Sequence, residues 1–63
     1  MDSTQLDLLT RDGKLSVTFR PPLDAQHSKG LIYLCDQSHS ARELRQAIEL
    51  AAGAWRREVE FEE

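Results

Sequence analysis

The chain holds one cysteine, Cys35, and two histidines, His27 and His39. Cys35 closes the apolar run Leu31–Cys35, and His39 follows four positions later. On a continuous helix that spacing would put thiol and imidazole on one face. Two chemistries would use such residues. Zinc needs three or four N, S or O ligands in a tetrahedron. His27, Cys35 and His39, with Asp24 or Asp36, nominally supply that set. Their spacing matches no zinc motif, however, and His39 falls in an expected loop between two helices. A Cys35–His39 nucleophile pair would need a lowered thiol pKa, a partner base and a cleft. Cys35 stands at the C-terminal end of its expected helix, where the dipole opposes a thiolate. The chain has no glycine-rich phosphate loop, no H-E-x-x-H and no G-x-S-x-G. The expectation is therefore that Cys35 is a small buried apolar residue and the histidines are partly exposed polar ones. No catalytic residue, cofactor or metal is assigned, and the chain is not read as an enzyme.

Arg42, Arg45, Arg56 and Arg57 form the other notable group. They could make a patch for an anionic partner or a phosphate backbone. Glu43, Glu49 and Glu58 interleave with them and dilute the field. Tyr33 and Trp55 read as core or core-edge residues, so no aromatic stacking platform accompanies the arginines. The formal net charge of −3 also has the wrong sign for a protein devoted to nucleic acid.

The elements that would position these residues follow from periodicity and punctuation. Asp12-Gly13 lies between Leu6, Leu8 and Thr10 on one side and Leu15, Val17 and Phe19 on the other, a hairpin pattern with a type I′ turn at Asp12-Gly13. Lys14, Ser16, Thr18 and Arg20 alternate with Leu15, Val17 and Phe19. The first arm is the weaker strand, because Leu8-Leu9 breaks its alternation. Pro21-Pro22 ends the second. Asp24 is a fitting N-cap for a helix over 24–36 that takes in Leu31–Cys35. The alternative for that run is a buried strand. Gly30 in mid-helix costs about 1 kcal/mol relative to Ala. Connectivity favours the helix, since a strand would leave too little helix to cover the sheet. Ser40 and Glu43 fit a capping box, with Glu43 reaching back to the Ser40 amide. Ala41, Leu44, Ala47, Ile48, Ala51, Ala52 and Trp55 share one face of the helix that follows. Val59 and Phe61 then alternate with Glu58, Glu60 and Glu62 as a last strand. As an edge it could pair with another chain, but its glutamates oppose such pairing.

The fold class this predicts is α+β with order ββααβ: a three-stranded antiparallel sheet with two helices on one face. The last strand should lie antiparallel beside the second. The expected core is Leu15, Val17, Phe19, Leu31, Leu34, Leu44, Ile48, Ala51, Trp55, Val59 and Phe61. Residues 1–63 form a single domain, with 1–5 disordered.

A 63-residue domain buries only about 60% of its unfolded surface and is marginal alone. Its composition, 40% hydrophobic and 30% charged, is that of a globular chain. One cysteine gives no internal disulfide. The start, "MDSTQLDLL", lacks a signal peptide's features, and Leu31–Cys35 is far shorter than the roughly 20 residues of a membrane span. A cytoplasmic location without membrane contact is expected. The functional expectation is a small non-catalytic module that binds a protein, most readily its own copy, as a homodimer. Ile32 and Tyr33, outside the core-facing stripe of the first helix, are the favoured contacts, with Arg42, Arg45, Arg56 and Arg57 as further candidates; the alternative surface is an open sheet edge, the N-terminal arm near Leu6–Leu9 or the strand around Phe61. The alternatives are a nucleic-acid-linked regulator using the arginine patch and a small metal-binding protein.

Overall fold

In the computed structural model, which describes residues 3–11 and 13–62, the elements follow the order ββααβ. They are β1 (Thr4–Thr10), β2 (Gly13–Arg20), α1 (Ala25–Gln37), α2 (Ala41–Trp55) and β3 (Glu58–Glu62). The sheet is antiparallel in the order β1-β2-β3, so β2 is central and both β1 and β3 are edges.

The alternation of β2 decides the layering. Leu15, Val17 and Phe19 are fully buried beneath the helices, while Lys14 and Arg20 are exposed on the open face. Register carries the same division outward. Val17 lies between Leu6 and Phe61, and Phe19 between Thr4 and Val59. The open face is polar and held by cross-strand contacts. The Ser16 hydroxyl donates to Asp7 at 2.7 Å, Lys14 Nζ lies 3.6 Å from Asp7, and Arg20 lies 3.0 Å from Glu60.

The hairpin differs from expectation by one position. Thr10 pairs with Gly13, so the two-residue loop is 11–12 and not Asp12-Gly13. Gly13 opens β2 with φ +130°, a conformation that suits glycine. Asp12 lies outside the described residues. The expected disorder of 1–5 gives way at Thr4 and Gln5, which are part of β1; positions 1 and 2 lie outside the described residues. The Leu8-Leu9 irregularity also resolves. Leu8 faces inward opposite Leu15, and Leu9 stands 68% exposed on the open face.

The Leu31–Cys35 run is helical. Asp24 caps α1 by accepting the His27 amide at 2.8 Å. The Ser38 amide closes its other end on the Leu34 and Cys35 carbonyls. Ser40 caps α2 through the Glu43 amide at 3.1 Å. Glu43 reaches back one residue further than expected, to the His39 amide at 3.3 Å. The short 38–40 connection makes the helices antiparallel neighbours, with Gly30 of α1 against Trp55 of α2.

The core is Leu15, Val17, Phe19, Leu31, Leu44 and Ile48, with Ala52 also buried. Leu34, Trp55, Val59 and Phe61 pack against it half-buried. Ala52, not Ala51, is the buried alanine. The buried line of α2 runs Leu44, Ile48, Ala52, an i, i+4 ridge, and Ala51 stands one step off it. Among the described residues, no helix is long and apolar enough to cross a membrane.

Candidate interaction surface

α1 and α2 meet the sheet differently. α2 lies across all three strands, whereas α1 touches β1 and α2. α2 buries Leu44, Ile48 and Ala52; α1 buries Leu31 alone. One flank of α1 faces α2 through Gly30 and through His27, whose ring stands edge-on to Trp55 with centroids 4.7 Å apart. The other flank reaches the free edge of the sheet. There the Cys35 thiol donates to the Leu9 carbonyl at 2.9 Å. The 100° helical step places Ile32 roughly 60° beyond Cys35, on the flank away from α2. Tyr33 then points outward from the body. Ile32 and Tyr33 are 59% and 64% exposed. Tyr33 is thus on the surface, not at the core edge.

Leu50 is an exposed apolar residue that sequence reasoning did not single out, and Leu9, expected only as part of a possible open edge over Leu6–Leu9, is another. Leu50 is 79% exposed on α2. Its signal was available, since it falls outside the apolar arc of α2. Leu9 could not be placed before the register of β1 was known.

The arginines do not converge. Arg45 lies over the Phe61 ring, 5.1 Å from its centroid, which shields an apolar side chain with a cation. Arg57 donates through Nη1 to the Pro21 and Pro22 carbonyls, each at 2.9 Å, strapping the start of β3 to the β2–α1 connection. Arg42 and Arg56 are exposed. From Arg45 to Arg56 the helix rises on the order of 16 Å. The group therefore divides between the two ends of α2, and one member at each end is engaged within the fold.

Nor are the thiol and imidazoles assembled. α1 stops at Gln37, so His39 leaves the Cys35 face and is exposed in the connection. His27 sits two turns from Cys35, its Nδ1 2.7 Å from Asp24. Among the described residues, no group of three or more His, Cys, Asp or Glu side chains could hold a metal ion. Two carboxylates are tuned, both at the surface. The His27 backbone amide, followed by its side chain, lowers the pKa of Asp24. The Ser16 hydroxyl, followed by the Lys14 charge, lowers that of Asp7.

What the described residues offer is a surface: a thinly anchored helix with two large apolar side chains outward, beside an open strand edge. No protein family, curated protein or solved structure matches the chain, so its function is argued from this surface alone.

Proposed function

We propose that this protein is a small non-catalytic interaction module that works by contact with a second copy of itself. The observation that carries the reading is the outward placement of Ile32 and Tyr33 on α1, a helix with one fully buried anchor. A domain of this size has little core to spare, and a partner that covers apolar surface stabilises the folded state by mass action. A homodimer would use the same patch on both chains about a two-fold axis. Its working place in this reading is the cytoplasm, in keeping with a single unpaired thiol at Cys35.

Light scattering across a concentration series tests the proposal. The expected result at high micromolar concentration is the mass of two chains, with a melting temperature that rises with concentration. Ile32→Glu should return the mass to that of one chain. A wild-type protein that keeps one chain's mass and a concentration-independent melt overturns self-association.

A further inference from the structure

We infer that the second copy docks edge to edge along β1, antiparallel, with Leu6 on the two-fold axis. The inference rests on the self-association reading and specifies its contact. The two-residue loop makes Thr10 and Gly13 the closing hydrogen-bonded pair of the hairpin. Hydrogen-bonded pairs alternate along an antiparallel ladder. Leu8, Leu6 and Thr4 therefore bond to β2, and the peptide groups of Gln5, Asp7 and Leu9 point away from it. The Leu9 carbonyl bears this out, since it accepts the Cys35 thiol on that side. With Leu9 occupied, the free stretch of the edge runs over 4–8, and its centre is Leu6.

Side-chain chemistry selects the same centre. For both helix layers to stay on one face, inward residues must pair with inward ones. An axis at Leu6 sets Leu6 against the second copy's Leu6, and Thr4 against its Leu8. It also sets the Gln5 amide opposite the second copy's Asp7 carboxylate. No like charges meet. Leu6 would sit in a pair without mutual hydrogen bonds, where side chains approach most closely. An axis at Asp7 would face that carboxylate with itself, and an axis at Leu8 would need the Leu9 carbonyl. The opposite edge offers no such register. Glu58, Glu60 and Glu62 share the open face of β3, so every same-face pairing of β3 with itself opposes glutamates. The helical step puts Ile32 on the flank of α1 toward the β1 edge, where it would border the added strand.

The test is the dimer dissociation constant of wild type, Gln5→Asp and Gln5→Lys by sedimentation equilibrium. Gln5 is exposed on the open face, so neither change disturbs the core. Two symmetric pairs form per dimer. Gln5→Asp should weaken the dimer on the order of tenfold and Gln5→Lys should tighten it, both less in high salt. Amide exchange of Gln5 and Asp7 should slow as concentration rises, while Val59 and Phe61 at the other edge stay unchanged. A dimer indifferent to the sign of residue 5, yet dissociated by Ile32→Glu, overturns the edge contact and leaves self-association standing. A monomer throughout overturns both.

Discussion

The two edges of the sheet are guarded by different means. β3 carries three glutamates on its open face, and its inner Phe61 lies beneath the Arg45 guanidinium. Its entry is fastened by Arg57 on the two proline carbonyls. β1 has one charged side chain, Asp7, and Ser16 and Lys14 hold it locally. Its guard is α1, which rests on Leu31 and touches the edge through Cys35 at Leu9. Charge repels other strands along the whole of β3, whereas a helix covers only one end of β1. The lesson is that protection by charge can be written into a strand's own residues. Protection by a covering helix depends on how well that helix is anchored.

Leu31→Ala should have the largest effect. Removing the one fully buried side chain of α1 should cost about 3 kcal/mol, within the range for truncating a buried leucine. Urea unfolding would measure the loss. Amide exchange should quicken in α1 and β1 more than in α2 and β3. Uniform quickening would mean that α1 and β1 are not the weaker half.

A milder change sharpens the β3 side. Arg56 closes α2 in the left-handed region, φ 58° and ψ 47°, two residues before β3 begins. A side chain there carries a steric cost that glycine avoids. Arg56→Gly should therefore stabilise the fold by about 1 kcal/mol, read as a higher urea midpoint. A lower midpoint would show that the exposed arginine side chain contributes more than its backbone strain costs.

Cys35→Ala probes the tie at the β1 edge. It removes a small apolar contact and the thiol bond to Leu9, at a cost of about 1 kcal/mol or less. In the native wild type the thiol should react slowly with a thiol reagent and quickly after unfolding. Fast native reaction would mean that α1 does not hold this end of the edge closed.

The smallest effect is that of acid. Asp7 has a lowered pKa in the folded protein, first because Ser16 donates to it and then because Lys14 is near. The fold thus favours the ionised form. Its contribution is present above the ordinary carboxylate pKa and fades as pH falls through the lower, folded value. Both groups are at the surface, so salt should weaken it further. The acid loss of stability should be slightly shallower in Asp7→Asn than in wild type. Identical pH profiles would show that Asp7 is not held at the β1–β2 ladder.

The element order was legible because each element announces itself within its own few residues. β2 alternates without a break. Asp24 and Ser40 are N-caps in front of apolar periodicity, and Val59 and Phe61 alternate with acids. The placement of Leu31–Cys35 in a helix needed one further step, the demand that a three-stranded sheet be covered. The outward position of Ile32 followed from the 100° step once that helix was assigned; Tyr33 reads both as lying outside the buried stripe and as core-edge, and its exposure settles it on the surface.

Periodicity along the chain is thus enough for the ββααβ order, the central place of β2, most of the core, and the outward position of Ile32 on α1. Local periodicity and capping specify such features within one segment. The loop at 11–12, the burial of Ala52 over Ala51, the bond from the His39 amide to Glu43, and the exposure of Leu9 depend on the assembled fold. It also decided that Arg45 shields Phe61, that Arg57 straps Pro21 and Pro22, and that Cys35 meets Leu9. Most of these depend on how remote segments approach one another. A crossing angle or a strand register chooses among partners that look equivalent along the chain.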